Sequence, residues 1–208
     1  MVERIKIYPR GFGANSYILT ADGKTAVVID PSSHSVITEL SARKLVPAYV
    51  LLTHCHFDHV MYAKELTELG AKVVCLDKEL PSVNTDVDLF KLAGVARKPF
   101  AVEKTVTDGE AFTLAGVTFK AYSLPGHTTG SAAYLVEEKG EKWLFTGDVL
   151  FEDSIGRTDF PTGSLSQMRE SLRRLKNMDG EYLIFSGHGE DTTLEAERKR
   201  NMFLQLTA

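Results

Sequence analysis

Six consecutive residues, His54-Cys55-His56-Phe57-Asp58-His59, put three imidazoles and a carboxylate into one short segment directly after the apolar run Tyr49-Val50-Leu51-Leu52. Ligands at that density repel one another unless a cation sits among them. Imidazole mixed with carboxylate suits zinc, iron or manganese, whereas calcium and magnesium prefer oxygen alone. Histidine is otherwise sparse: the chain has six, and three stand here. Further ligand types recur behind apolar runs. Gly126-His127-Thr128 follows a run ending near Leu124, Gly147-Asp148 follows Trp143 to Thr146, and Gly187-His188-Gly189 follows Leu183 to Phe185. In each, a glycine beside the ligand lets the chain turn sharply and approach closely. Ligands at successive strand ends are a natural way to build a site along one sheet edge. His34, at a helix start with no strand before it, reads as an ordinary surface residue.

The elements that must hold these residues follow from hydrophobic periodicity. Residues 4–8 alternate as a strand with one wet face. Strands over 15–20 and 25–30 follow, joined across the hairpin signal Asp22-Gly23. The second is continuously apolar, as expected for a strand buried on both faces. Ser32 or Ser33 caps a helix running to about Lys44. A buried strand over 49–52, a helix over 58–69 stopped by Gly70, and a strand over 72–76 make a βαβ unit. Residues 77–100 read as short helical pieces, one ending near Glu79-Leu80-Pro81 and one over 86–93 capped by Gly94. From Thr105 the pattern turns to β, with hairpins over 112–122 and 131–146. A loop over 151–163, a helix over 164–177, a strand over 181–185 and a charged helix over 192–206 complete the chain. No repeat or linker interrupts this order, and a single mixed α/β layered domain over 1–208 is expected.

The 208 residues are 43% hydrophobic and 25% charged, with a formal net charge of -4. That balance argues against a general nucleic-acid binder. No apolar run reaches membrane-spanning length, and the N-terminus lacks the apolar core of a secretory signal. Two cysteines, Cys55 and Cys75, are too few for a disulfide framework. A reducing, cytoplasmic compartment is expected, with no membrane or nucleic-acid partner. Oligomeric state stays open.

With HxHxDH, GH, GD and GH each at a strand end, the chain resembles the metallo-β-lactamase superfamily of hydrolases. The stretches Leu124-Pro125-Gly126-His127-Thr128-Thr129-Gly130, Thr146-Gly147-Asp148-Val149-Leu150-Phe151 and Gly156-Arg157-Thr158-Asp159-Phe160-Pro161 resemble its short glyoxalase-II-like branch. The resemblance implies a four-layer αββα sandwich with two divalent metals at one edge, zinc foremost and iron or manganese as substitutes. It implies that His54, His56 and His127 hold one metal, that Asp58, His59 and His188 hold the other, and that Asp148 bridges both. It further implies that Asp58 helps to orient an attacking water while ligating. The His at position 56 differs from the Glu of flavodiiron oxygen reductases. Asp148 differs from the Cys or Ser of true β-lactamases. Long glyoxalase II enzymes carry a C-terminal helical extension that binds glutathione. This chain runs only 20 residues past His188, so that pocket is expected to be missing.

The resemblance implies hydrolysis of a small anionic thioester, such as S-lactoylglutathione or a related acyl-thiol. A mononuclear iron persulfide dioxygenase, which carries a similar Gly-Arg-Thr-Asp stretch, is the rival reading. Asp30 resembles the superfamily's aspartate behind the metal ligands; an Asx turn onto Ser32 or Ser33 is the alternative. Arg157 and Asp159 either pair to order their loop or present Arg157 to an anionic substrate. Tyr17, Phe151 and Phe160 fit either pocket wall or core. Cys55, alternating away from its ligand neighbours, reads as a packed residue.

Overall fold

The computed structural model describes residues 1–9, 11 and 13–207. Six strands, β1 (Glu3–Ile7), β2 (Ser16–Thr20), β3 (Thr25–Ile29), β4 (Val46–Leu52), β5 (Lys72–Leu76) and β6 (Val102–Val106), form one sheet in sequence order. A second sheet runs in the order β12-β11-β10-β9-β8-β7. Its strands are β7 (Ala111–Leu114), β8 (Val117–Ser123), β9 (Ala132–Glu138), β10 (Glu141–Gly147), β11 (Leu183–Ser186) and β12 (Thr192–Thr193). Strands β3 to β6 pair in parallel, and β10 pairs in parallel with β11. The other pairs are antiparallel.

Three buried clusters show why the apolar strands are apolar on both faces. Alternate residues of the first sheet, among them Tyr17, Leu19, Val27, Ile29, Leu51 and Val74, meet Phe119, Tyr134, Phe145 and Phe185 of the second. Their neighbours Ile18, Ala26, Val28, Val50 and Val73 point the opposite way, onto helix residues Val36, Leu40, Val60 and Leu66. These belong to α1 (His34–Arg43), α2 (Phe57–Val60) and α3 (Ala63–Glu68), with α4 (Phe90–Ala93) packed alongside through Phe90. On the other side Leu135, Leu144 and Ile184 face Met168, Leu172, Leu194 and Leu204. These lie on α5 (Leu165–Lys176), α6 (Leu194–Arg200) and α7 (Met202–Gln205). The period-2 alternation of a strand divides each sheet between two cores. The result is the expected αββα sandwich. Among the described residues no helix is long and apolar enough to cross a membrane.

Four elements depart from expectation. The helix expected over 58–69 is broken at Met61-Tyr62, because the Tyr62 N–H leaves the helical pattern and donates to the Pro31 carbonyl at 2.9 Å. The helix expected over 192–206 begins as β12 and is interrupted at Asn201. The Asn201 side chain caps α7 through the Phe203 N–H at 3.0 Å and donates to Ser154 O and to buried Glu197. The piece expected over 86–93 is split by Leu89, whose φ is 63°, although Gly94 ends it as read. β6 begins earlier than the β pattern suggested, since its Glu103 and Lys104 face solvent at the sheet edge.

Candidate metal centre

The sheet ends bring all seven expected ligands into one place. β4 ends at Leu52, and after Thr53 comes the HxHxDH segment, whose Asp58 and His59 lie on the first turn of α2. His127 follows β8, Asp148 follows β10 and His188 follows β11. Potential ligand atoms of His54, His56 and His127 lie within 4.8 Å of one another, as do those of Asp58, His59 and His188. Asp148 stands between the sets. Its Oδ1 is 3.1 Å from His59 Nε2, and its Oδ2 is 3.5 Å from both His127 Nε2 and His188 Nε2. His188 Nε2 also lies 3.2 Å from Asp58 Oδ2. No gap separates the sets: the His54 and His59 rings are 4.0 Å apart, and His54, His59 and Asp148 make a third close group.

The imidazole tautomers are set from behind. His59 Nδ1 donates to Asp30 Oδ2 at 2.9 Å, and His127 Nδ1 donates to the Arg157 carbonyl at 2.7 Å. Thr53 Oγ1 donates to Asp30 Oδ2 at 2.6 Å and so accepts from His54 Nδ1 at 3.1 Å. In each ring the proton on Nδ1 leaves Nε2 facing the centre. The Nε2 atoms of His54, His56 and His127 are buried without a hydrogen-bond partner. Such an atom costs about 1–3 kcal/mol, so three of them weigh against a total stability of about 5–15 kcal/mol. Coordination of a cation satisfies them together, and the nitrogen and carboxylate donors fit a divalent transition metal.

Charge is distributed to match. Burial, with repulsion from the neighbouring imidazoles, holds His54 well below the usual histidine range, and burial holds His56 down to about 3. Both rings are neutral and keep their lone pairs. Burial opposes ionisation of Asp148, but His59 and His188 beside it hold its carboxyl well below the ordinary value. Burial likewise opposes charge on His188, and its contacts with Asp148 and Asp58 outweigh this, raising it to about 9.

Three glycines permit this crowding. A Cβ on Gly187 would stand 2.3 Å from Asp148 Oδ1 and 2.6 Å from His59 Cε1. On Gly147, where φ is +50°, it would stand 2.3 Å from Thr53 Oγ1, and on Gly156 it would meet the Asp148 carbonyl.

Residues with open readings now have places. Asp30, at the end of β3 with φ 50°, accepts from Thr53 N at 2.8 Å as well as from Thr53 Oγ1 and His59. The Ser32 N–H goes instead to Ser16 Oγ. Arg157 and Asp159 form an exposed two-pronged pair at 2.9 and 2.8 Å, with the guanidinium over the Phe160 ring. It is the Arg157 carbonyl, invisible in a residue pattern, that reaches a ligand. Phe151 and Phe160 line a cleft of about 340 Å³ over the centre, with Phe57, Leu89 and Ile155. Tyr17 belongs to the core, its hydroxyl donating to Ser186 O. Cys55 is buried, and burial pushes its thiol well up. His34 is exposed. Sequence reasoning missed Glu79, which is fully buried and accepts from Cys55 N, Thr128 Oγ1 and Gly130 N. It sits in a charged turn, Asp77-Lys78-Glu79, with no pattern to mark it.

The sequence matches the metallo-beta-lactamase superfamily over residues 9–188. It is 33% identical to the hydroxyacylglutathione hydrolase GloC of Haemophilus influenzae, over 96% of this chain and 97% of that one. Similar solved structures include the B3 metallo-beta-lactamase BLEG-1, at 32% identity and TM-score 0.81 over 98% of this chain and 99% of that one. TTHA1623 in a di-iron-bound form is 31% identical with TM-score 0.81, over 95% and 100% respectively. ETHE1 from Myxococcus xanthus is 25% identical with TM-score 0.76, over 99% and 89%.

Proposed function

The chain belongs to the metallo-β-lactamase superfamily, and from that premise we propose that it is a binuclear hydrolase of small anionic thioesters, such as S-lactoylglutathione or a related acyl-thiol. The observation that supports this reading is the completeness of both ligand sets on either side of Asp148. The likeness to GloC supports the thioester class. Divalent metals held by His54, His56 and His127 and by Asp58, His59 and His188 would supply Lewis acidity and lower the pKa of a water toward neutrality. Zinc suits the nitrogen and carboxylate donors, and the di-iron neighbour makes iron the first substitute.

The chain's own residues do the rest. Asp148 keeps negative charge between the sets, and Asp58 faces the same space from the first turn of α2. Phe151, Phe160, Ile155 and Leu89 shield the acyl group from bulk water. Arg157 fixes His127 through its carbonyl and steadies the Phe160 wall with its guanidinium. A thioester releases a thiolate, whose parent thiol has an ordinary pKa of about 8.5, so it asks little acid help of the cleft. The two buried free thiols suit a reducing compartment, which favours the cytoplasm.

The test pairs loss of an S-lactoylglutathione chromophore with oxygen uptake on glutathione persulfide, using protein of measured metal content. Thioester turnover without oxygen uptake is expected. Oxygen uptake with one iron per chain and no thioester turnover makes the protein a persulfide dioxygenase instead. Opening of a chromogenic cephalosporin faster than the thioester makes it a lactamase.

A further inference from the structure

Glu79 is a carboxylate with 0% exposure in the turn after β5, and its partners are three dipoles rather than a cation. Oε1 accepts from the Cys55 N–H at 2.8 Å. Oε2 accepts from Thr128 Oγ1 at 2.8 Å and from the Gly130 N–H at 3.1 Å. Cys55 stands between His54 and His56, and Thr128 follows His127. One side chain thus joins the two loops that carry the first ligand set. The network closes on itself: Ser131 Oγ donates to Thr128 Oγ1 at 2.8 Å and accepts from the Thr128 N–H at 2.9 Å. Backbone packing repeats the link, since a Cβ on Gly130 would come within 2.2 Å of the Glu79 nitrogen.

A lone buried carboxylate is expensive, and an apolar residue of similar volume usually stabilises a fold more. Burial pushes the Glu79 carboxyl up, and the bonds from Cys55, Thr128 and Gly130 only partly counter it. Its three hydrogen bonds go to Cys55, Thr128 and Gly130 rather than to an imidazole, unlike those of Asp30, which bonds His59 directly. Its reach is through the backbone on both sides of the set.

We propose that Glu79 is the positioning residue of the His54/His56/His127 set, fixing the separation of its two loops and thereby how firmly that set retains its metal. This rests on the binuclear reading but not on the thioester substrate.

The test uses zinc-loaded protein and follows zinc per chain and its release to a colorimetric chelator, with thermal melting alongside. Glu79→Gln keeps the volume but turns an N–H₂ toward donors; Glu79→Asp keeps the charge and shortens the reach. Glu197→Gln is the control, because Glu197 is equally buried and accepts from Asp153 N, Thr192 Oγ1, Asn201 Nδ2 and Arg200 Nη2, none of them in the loops that carry His54, His56 and His127. Glu79→Gln is expected to speed release of one of the two zinc ions by about tenfold to a hundredfold, the scale of losing a group behind metal ligands. Glu79→Asp is expected to fall between it and wild type. Glu197→Gln is expected to lower the melting temperature and leave unchanged the release rate that Glu79→Gln speeds. Wild-type release rates in both Glu79 variants, or equal changes in Glu79→Gln and Glu197→Gln, overturn the proposal. Wild-type protein that never holds two zinc ions overturns the binuclear reading and the proposal with it.

Discussion

Asp148 is the residue on which both ligand sets turn, because its carboxylate lies near His127 of one set and near His59 and His188 of the other. If the proposed binuclear reading holds, Asp148→Ala is expected to reduce bound metal from about two per chain to below one, because it removes the anion that both sets would share. Elemental analysis after desalting checks this; two metals retained would refute the bridging assignment. The imidazoles differ in what a metal must displace. His188 is raised to about 9 and His59 well above its usual range, so without metal both carry a proton at neutral pH. His54 lies well below its ordinary value and His56 at about 3, so both are already neutral. Filling the Asp58/His59/His188 set therefore releases protons, and its affinity rises with pH up to about 9. Filling by His54 and His56 releases none until far into acid. Zinc titrations at pH 6 and pH 8 should show one equivalent strengthening by up to about tenfold per pH unit for each proton released, the other changing little. Equal pH dependence of both equivalents would contradict the charge assignment.

At the scale of elements, the site is a set of strand ends that only glycine lets close. β10 and β11 run in parallel and finish side by side, and Gly187 N donates to the Gly147 carbonyl at 2.9 Å. Gly187→Ala would drive a methyl into Asp148 and His59. The expected outcome is loss of at least one metal with far-UV circular dichroism unchanged, since the clash lies beyond the last ladder bond. Retention of both metals would show that the strand end can shift freely. The end of β3 behaves differently. Asp30 takes a left-handed conformation there and ties Thr53, just past β4, to α2's His59. Asp30→Asn keeps the volume but loses one acceptor, and a fall of about 10- to 100-fold in zinc affinity is expected by competition with a chelator.

Over the whole molecule, the centre spans the seam between the sheets. His54, His56, Asp58 and His59 come from the first sheet's side; His127, Asp148 and His188 come from the second. A ligand bound only by the folded state adds RT ln(1 + [L]/Kd) to stability, about 2.7 kcal/mol at a hundredfold excess over Kd. Stripping metal should lower the melting temperature by several degrees, and adding zinc back should restore it. A melting temperature indifferent to chelation would mean that the seam is held by the apolar core alone.

The sequence by itself determined which residues are candidate ligands, the strand ends that carry them and the layered α/β class. Imidazoles, carboxylates and glycines are recognisable by type, and alternating apolar runs reveal strands. Only the tertiary structure decided which helices are continuous. The breaks at Tyr62 and Asn201 arise because a distant carbonyl or a local cap takes an N–H that helical periodicity assigns elsewhere. It also decided which residues stand behind the ligands. Asp30 was visible at a strand end with two possible bonds, and the approach of Thr53 and His59 chose between them. Glu79 and the Arg157 carbonyl had no signal at all, because a polar residue in a turn looks solvated until another loop folds over it and removes the water.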